Sequence, residues 1–224
     1  METPIGRSLK RGGISAWITT IVALAAVAFH LVLCANRQLT DWWLVALATA
    51  VVVTNAVVAL QSRDRLSFGF RLTPIQGWVY WAKVTLILGA IVLCVLGLSA
   101  AVGLGILRVH VSPPRHIVDR SQIGPLFVWM CIYAPLTEEA MYRLAICPPA
   151  TAWFGPKAAI AISGVAFAGA HVLGGNPGPD NQIAGFLLAW AYLKSGSLAV
   201  PVALHFLGNL VAFGLQLYFF YWAQ

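Results

Sequence analysis

Apolar runs of about twenty residues recur along this chain, separated by short polar or proline-bearing breaks. Such runs leave the backbone little choice. In hydrocarbon each peptide N–H and C=O must find its partner inside the protein, and a helix meets that demand within one segment. About twenty helical residues cross a bilayer core roughly 30 Å thick. The expected fold is therefore all-α, a polytopic transmembrane helix bundle with about seven spans. Composition agrees: 60% of the 224 residues are apolar and 9% are charged, whereas a soluble domain carries about a quarter charged residues.

The expected spans cover about 14–35, 42–60, 78–107, a stretch from near 122 into the 148–149 proline pair, 156–173, 182–193 and 198–221. The first is too long for a signal-peptide core and lacks a convincing cleavage site, so it is read as a retained span. The third is long enough to tilt or to emerge from the bilayer. The linker 61–77 holds Arg63, Arg65, Arg71 and Pro74 and is expected to lie along the membrane surface, and the loop 108–121 with Pro113-Pro114 to be irregular. Cys147-Pro148-Pro149 is expected to interrupt the fourth helix, because proline lacks the amide donor and clashes with the preceding turn. Seven tryptophans (Trp17, Trp42, Trp43, Trp78, Trp81, Trp153 and Trp222) fall near span ends, as interfacial belts do.

The net charge of +7 does not form a basic face or tail. The basic residues stand just outside the apolar runs, where they set topology and meet anionic headgroups, so a nucleic-acid partner is not expected. With the N-terminus inside, the inner loops hold Arg7, Lys10, Arg11, Arg63, Arg65, Arg71, Lys157 and Lys194, against Arg37, Arg108, Arg115 and Arg120 outside. The balance favours a cytoplasmic N-terminus. Cys34, Cys94, Cys131 and Cys147 show no CxxC spacing and read as buried structural thiols. His30 in the first span reads as a satisfied packing residue.

Three patterns in the last ninety or so residues stand out: Glu138-Glu139-Ala140-Met141-Tyr142-Arg143, Phe167-Ala168-Gly169-Ala170-His171 and His205-Phe206-Leu207-Gly208-Asn209. Each places ionisable or amide groups in an apolar segment, where charge is costly and by default functional. Glu139 and Arg143 are four apart, share a helix face and can pair. Glu138 is rotated by about 100° from Glu139 and has no partner in sequence. Its desolvation beside a second carboxylate suits it to accept a proton as a general base. His171 follows the small residues Ala166, Ala168, Gly169 and Ala170, which let a neighbouring helix approach, and Phe167 can pack beside its ring. His205 and Asn209, again four apart, can donate hydrogen bonds to one developing oxyanion. By rise per residue, Glu138 lies about 15 Å from the proline pair and His171 about 21 Å beyond Lys157. The mismatch shrinks if helix resumes after the proline pair and runs to about Trp153.

In this order on successive membrane helices, Glu-Glu-x-x-x-Arg, Phe-x-x-x-His and His-x-x-x-Asn resemble the CPBP family. That family comprises type II CAAX prenyl endopeptidases and bacteriocin-processing or self-immunity proteins, intramembrane proteases of the glutamic or metal-dependent type. The likeness covers roughly Gly124 to Phe213, including Gly196-Ser197-Leu198-Ala199-Val200-Pro201 before His205. It implies peptide-bond hydrolysis in or near the bilayer, with Glu138 and His171 activating water and His205 and Asn209 stabilising the oxyanion. Glu139 and Arg143 would support the site. Leu144, where many relatives have Gly, and the Pro148-Pro149 pair depart from the usual pattern.

The expected division is 1–121 for N-terminal spans and linker and 122–224 for a CPBP-like helical core, integrated in one membrane domain. One Glu and two His could hold a zinc ion with water in the fourth position. No His-Glu-x-x-His spacing is present and Asn is a poor zinc ligand, so no cofactor is favoured. The partners implied are the lipid bilayer and a membrane-anchored protein or peptide carrying a CAAX-like tail, C-terminal sorting signal or leader. Small size points to a prokaryotic cell membrane. A proton-coupled transporter would use similar residues, but would show internal repeats and paired broken helices. A non-catalytic scaffold descended from a protease would have lost a reactive side chain, and none of the three patterns has.

Overall fold

The computed structural model describes residues 2–11, 13–36, 41–101, 117 and 119–222, and among them every regular element is helical. The helices are α1 (Ile14–Ala35), α2 (Asp41–Gln61), α3 (Gly77–Ala101), α4 (123–144), α5 (Cys147–Phe154), α6 (Pro156–Leu173), α7 (Pro179–Ser195) and α8 (Ala199–Trp222). Five of them, α1, α2, α3, α6 and α8, are long and apolar enough to cross a membrane. α4 and α7 bring the bundle to about seven spans. Both carry charged side chains, and α5 is a short appendage of α4. The protein is a multi-pass integral membrane protein. Arg37, Arg108, Arg115, the Pro113-Pro114 loop and the 102–107 end expected for the third span lie outside the described residues.

α4 is not a uniform α-helix. It alternates between α-helical Ile123–Phe127, π-helical Val128–Tyr133, α-helical Ala134–Glu139 and π-helical Ala140–Leu144. The first wide stretch runs up to Pro135, whose ring and missing N–H disfavour a tight turn beneath it. The second ends at the proline pair, where the chain turns at Ala145 and Ile146 before α5 begins. Pro148 and Pro149 occupy the first turn of α5, where their missing N–H groups leave no bond unmade. Helix thus resumes just before the prolines, at Cys147, and runs to Phe154. The acidic pair sits where α-helix passes into the second π segment, a distortion that recurs at functional sites.

The N-terminal residues, the 61–77 linker and the α7–α8 turn are sewn together at one end of the bundle. Gly6 donates to the Ser67 carbonyl at 2.8 Å, Thr3 Oγ1 to Leu193 at 2.7 Å, and Ile75 to Ser195 at 2.9 Å. Tyr192 donates its hydroxyl to the Phe68 carbonyl at 2.7 Å, and Leu198 its amide to Gly69 at 3.0 Å. The linker is therefore folded into the bundle end, with Ser67 and Phe68 fully buried. Its buried carbonyls require these partners. Gly6 has φ +75°, and a Cβ there would run into the Pro148 carbonyl, so glycine is needed at this junction.

α6 and α7 pack closely. A Cβ on Gly185 would lie 2.8 Å from the Gly164 carbonyl oxygen and 3.2 Å from its Cα, both backbone atoms that cannot swing aside. The tightest approach is thus at Gly164 and Gly185, while a Cβ on Gly169 would meet nothing within 4 Å. Gly185→Ala is expected to destabilise the protein by about 1–3 kcal/mol through overpacking. The unfolding midpoint in detergent checks this, and an unchanged midpoint would show that the two helices are free to part.

Among the described residues the four cysteines are free, with Cys34, Cys131 and Cys147 buried and Cys94 exposed.

Candidate active site

Three helices deliver the polar groups to one place. α4 supplies Glu138, Glu139 and Arg143, the last turn of α6 supplies His171, and the second turn of α8 supplies His205. Glu139 and Arg143 are fully buried, with Glu139 Oε2 3.0 Å from Arg143 Nε. The other Glu139 oxygen, Oε1, stands 2.8 Å from Nδ1 of His205. One carboxylate thus joins α4 to α8 as well as pairing with the guanidinium four residues on. Arg143 Nη2 donates to the Gly185 carbonyl at 3.1 Å and to Ala184 at 3.4 Å, and its guanidinium lies 4.6 Å from the Phe167 ring centre. A charge sealed from water is tolerated only with such paired and hydrogen-bonded company.

Glu138 faces the other way. Its Oε2 is 3.9 Å from Nε2 of His171 and 3.8 Å from Nε2 of His205. That oxygen is buried and makes no hydrogen bond to the protein. The two imidazoles are oriented by their opposite nitrogens. His171 Nδ1 lies 3.0 Å from the Phe167 carbonyl. A carbonyl only accepts, so Nδ1 carries a proton and donates, which leaves Nε2 turned towards Glu138. His205 Nδ1 likewise donates to the Glu139 carboxylate. The Glu138, His171 and His205 side chains are 14%, 17% and 10% exposed, against 0% for Glu139 and Arg143. The outer three are thus partly exposed, and the inner pair is closed off.

Phe167 forms the floor between these groups. Its ring centre is 4.4 Å from that of His171 and 6.0 Å from that of His205, with Tyr142 edge-on at 5.2 Å. The stacking beside His171 matches the sequence expectation. Asn209 donates to the Met130 carbonyl of α4 at 2.7 Å, which takes one of its two amide N–H groups and leaves the second. Sequence reasoning did not anticipate that carbonyl or those of Ala184 and Gly185. Every residue has a carbonyl, so an acceptor of this kind leaves no signal in sequence.

The donor types of Glu138, His171 and His205 are those of a zinc set. Their facing atoms, however, are 3.8 and 3.9 Å apart, wider than the roughly 3.4 Å edge of a tetrahedron built on bonds of about 2.1 Å. Among the described residues no group of three or more His, Cys, Asp or Glu is arranged to hold a metal ion.

Residues 120–211 match the family model described as type II CAAX prenyl endopeptidase Rce1-like. This is the CPBP-type family expected from the three patterns. The match runs from the start of α4 into α8 and contains Glu138, Glu139, Arg143, His171, His205 and Asn209. α1, α2 and α3 lie outside it. No curated protein and no solved structure matches the chain.

Proposed function

We propose that this Rce1-like protein is an intramembrane endopeptidase that cleaves a peptide bond in a membrane-anchored protein or peptide, at a CAAX-like tail, a C-terminal sorting signal or a leader. The observation that carries the reading is the buried Glu138 oxygen, unbonded by protein and facing two imidazole nitrogens at 3.8–3.9 Å. Such a space suits a water molecule that donates to the Glu138 carboxylate.

In the proposed step Glu138, with His171, orients a water and takes one of its protons as the oxygen attacks the scissile carbonyl carbon. The oxyanion that forms accepts hydrogen bonds from Nε2–H of His205 and from the second amide N–H of Asn209. To donate from Nε2 while Nδ1 donates to Glu139, His205 must carry both protons. Glu139 is the counter-charge for that cation. Glu138 and Glu139 then balance Arg143 and His205, so the site is neutral as a whole, which a low-dielectric setting favours. The C–N bond breaks, Glu138 returns its proton to the leaving amine, and the other product is a carboxylic acid. Glu139 and Arg143 support this arrangement without touching the substrate.

By the distribution of basic residues, the sewn end of the bundle with the N-terminus faces the cytoplasm.

Reconstituted in liposomes with membrane-anchored peptides of the three classes, the protein is expected to release a single defined fragment, identified by mass spectrometry. Failure to cut any of them removes the reading. The step is proposed without a metal. Turnover is accordingly expected to be unchanged after dialysis against a strong chelator, and a loss that zinc restores would replace the glutamate-only step with a metal-assisted one.

A further inference from the structure

The site reaches beyond the family-like segment through Tyr142. This residue lies four after Glu138 on α4, is 1% exposed, and places its hydroxyl 2.7 Å from Nδ1 of His30 on α1. The other ring nitrogen of His30 is 3.6 Å from Sγ of Cys34, one turn along α1. His30 is 3% exposed, so both ring nitrogens find their partners inside the protein. A leucine would fill the space without the cost of burying an imidazole. The hydrogen bond to Tyr142 is what a leucine could not supply.

From Tyr142 the contacts continue into the site. Ser163 donates to the Tyr142 carbonyl at 2.8 Å. The Tyr142 ring meets Phe167 edge-on, and Phe167 lies against His171 at 4.4 Å. Ring contacts alone permit sliding, and α4 is π-helical over Ala140–Leu144. The hydroxyl–imidazole bond is the directional restraint on the Tyr142 side chain.

We infer that His30 is a positioning residue: by holding the Tyr142 hydroxyl it fixes the Phe167 surface on which His171 turns its Nε2 towards Glu138. This rests on the proposed function above and assigns a part in it to α1, outside the family match.

The test compares the full chain with His30→Ala, His30→Asn, Tyr142→Phe and the double variant His30→Ala/Tyr142→Phe, reconstituted with a cleaved peptide. Misplacing a reacting group slightly is expected to lower kcat about tenfold in His30→Ala and in Tyr142→Phe, with KM within about twofold. The double variant is expected to be no slower than the slower single, because both remove one interaction. Asparagine places an amide oxygen near the position of Nδ1, so His30→Asn is expected to recover most of kcat. Tyr142→Phe removes only a hydroxyl, and native turnover in that variant, or losses that multiply in the double variant, would overturn the inference. A second readout needs no substrate. In nitrogen-15 histidine spectra of the solubilised chain, Tyr142→Phe is expected to move the ring resonances of His171 along with those of His30, and an unmoved His171 would also overturn it. Cleavage that survives Glu138→Gln defeats the protease reading separately and leaves the spectral test intact.

Discussion

Glu138→Gln is expected to lower the turnover of a cleaved peptide by about 10²–10⁴-fold, the range that a positioned general base supplies. The amide keeps the shape of the carboxylate but cannot take a proton from water, so KM should change little. Folding should not suffer either. Glu138 Oε2 makes no hydrogen bond to the protein and only faces imidazoles at 3.8–3.9 Å. Replacing a buried carboxylate that lacks a close partner removes a desolvation cost, so the unfolding midpoint is expected to stay level or rise, as happens where a site holds a group for chemistry rather than stability. Steady-state cleavage and thermal unfolding in detergent check the two halves. Turnover within about tenfold of native would remove Glu138 from the base role, since no base is worth so little.

Arg143→Met is expected to act in the opposite sense, costing about 3–5 kcal/mol of stability. Arg143 is fully buried, pairs with Glu139 at 3.0 Å, donates to Gly185 at 3.1 Å and lies over Phe167. Its removal strands the Glu139 carboxylate, which retains only His205, and frees two α7 carbonyls. The double variant Glu139→Gln/Arg143→Met is expected to lose less than the sum of the singles, because it deletes both charges together. Denaturant unfolding of the solubilised protein measures both. A single-variant loss below about 1 kcal/mol would place the pair among exposed ion pairs, contrary to its burial.

These two expectations differ because adjacent residues of one helix face different neighbours. That difference was partly legible in sequence. The four-residue spacing of Glu139 and Arg143 put them on one face, and the turn of about 100° put Glu138 elsewhere. The spacing did not reveal that Glu139 also grips His205 from α8, because contacts between helices depend on how those helices cross. The same limit applied to His30. Read along α1 it is a lone polar residue in an apolar run, and only the approach of α4 gives it the Tyr142 hydroxyl. The linker 61–77 looked like surface chain because it is polar and holds a proline. Its backbone is drawn inward by partners, such as the Tyr192 hydroxyl, that lie far away in sequence.

The sequence by itself determined that the chain crosses a membrane several times as helices, since run length and the peptide group's need for partners allow little else. It also determined which side chains are too costly in lipid to be present without use. Tertiary structure decided which of them meet. Side chains separated by dozens of residues converge only through the break after Leu144, the close seam at Gly164 and Gly185 and the docking of α8. Each of these is a matter of packing between segments, which no local pattern encodes.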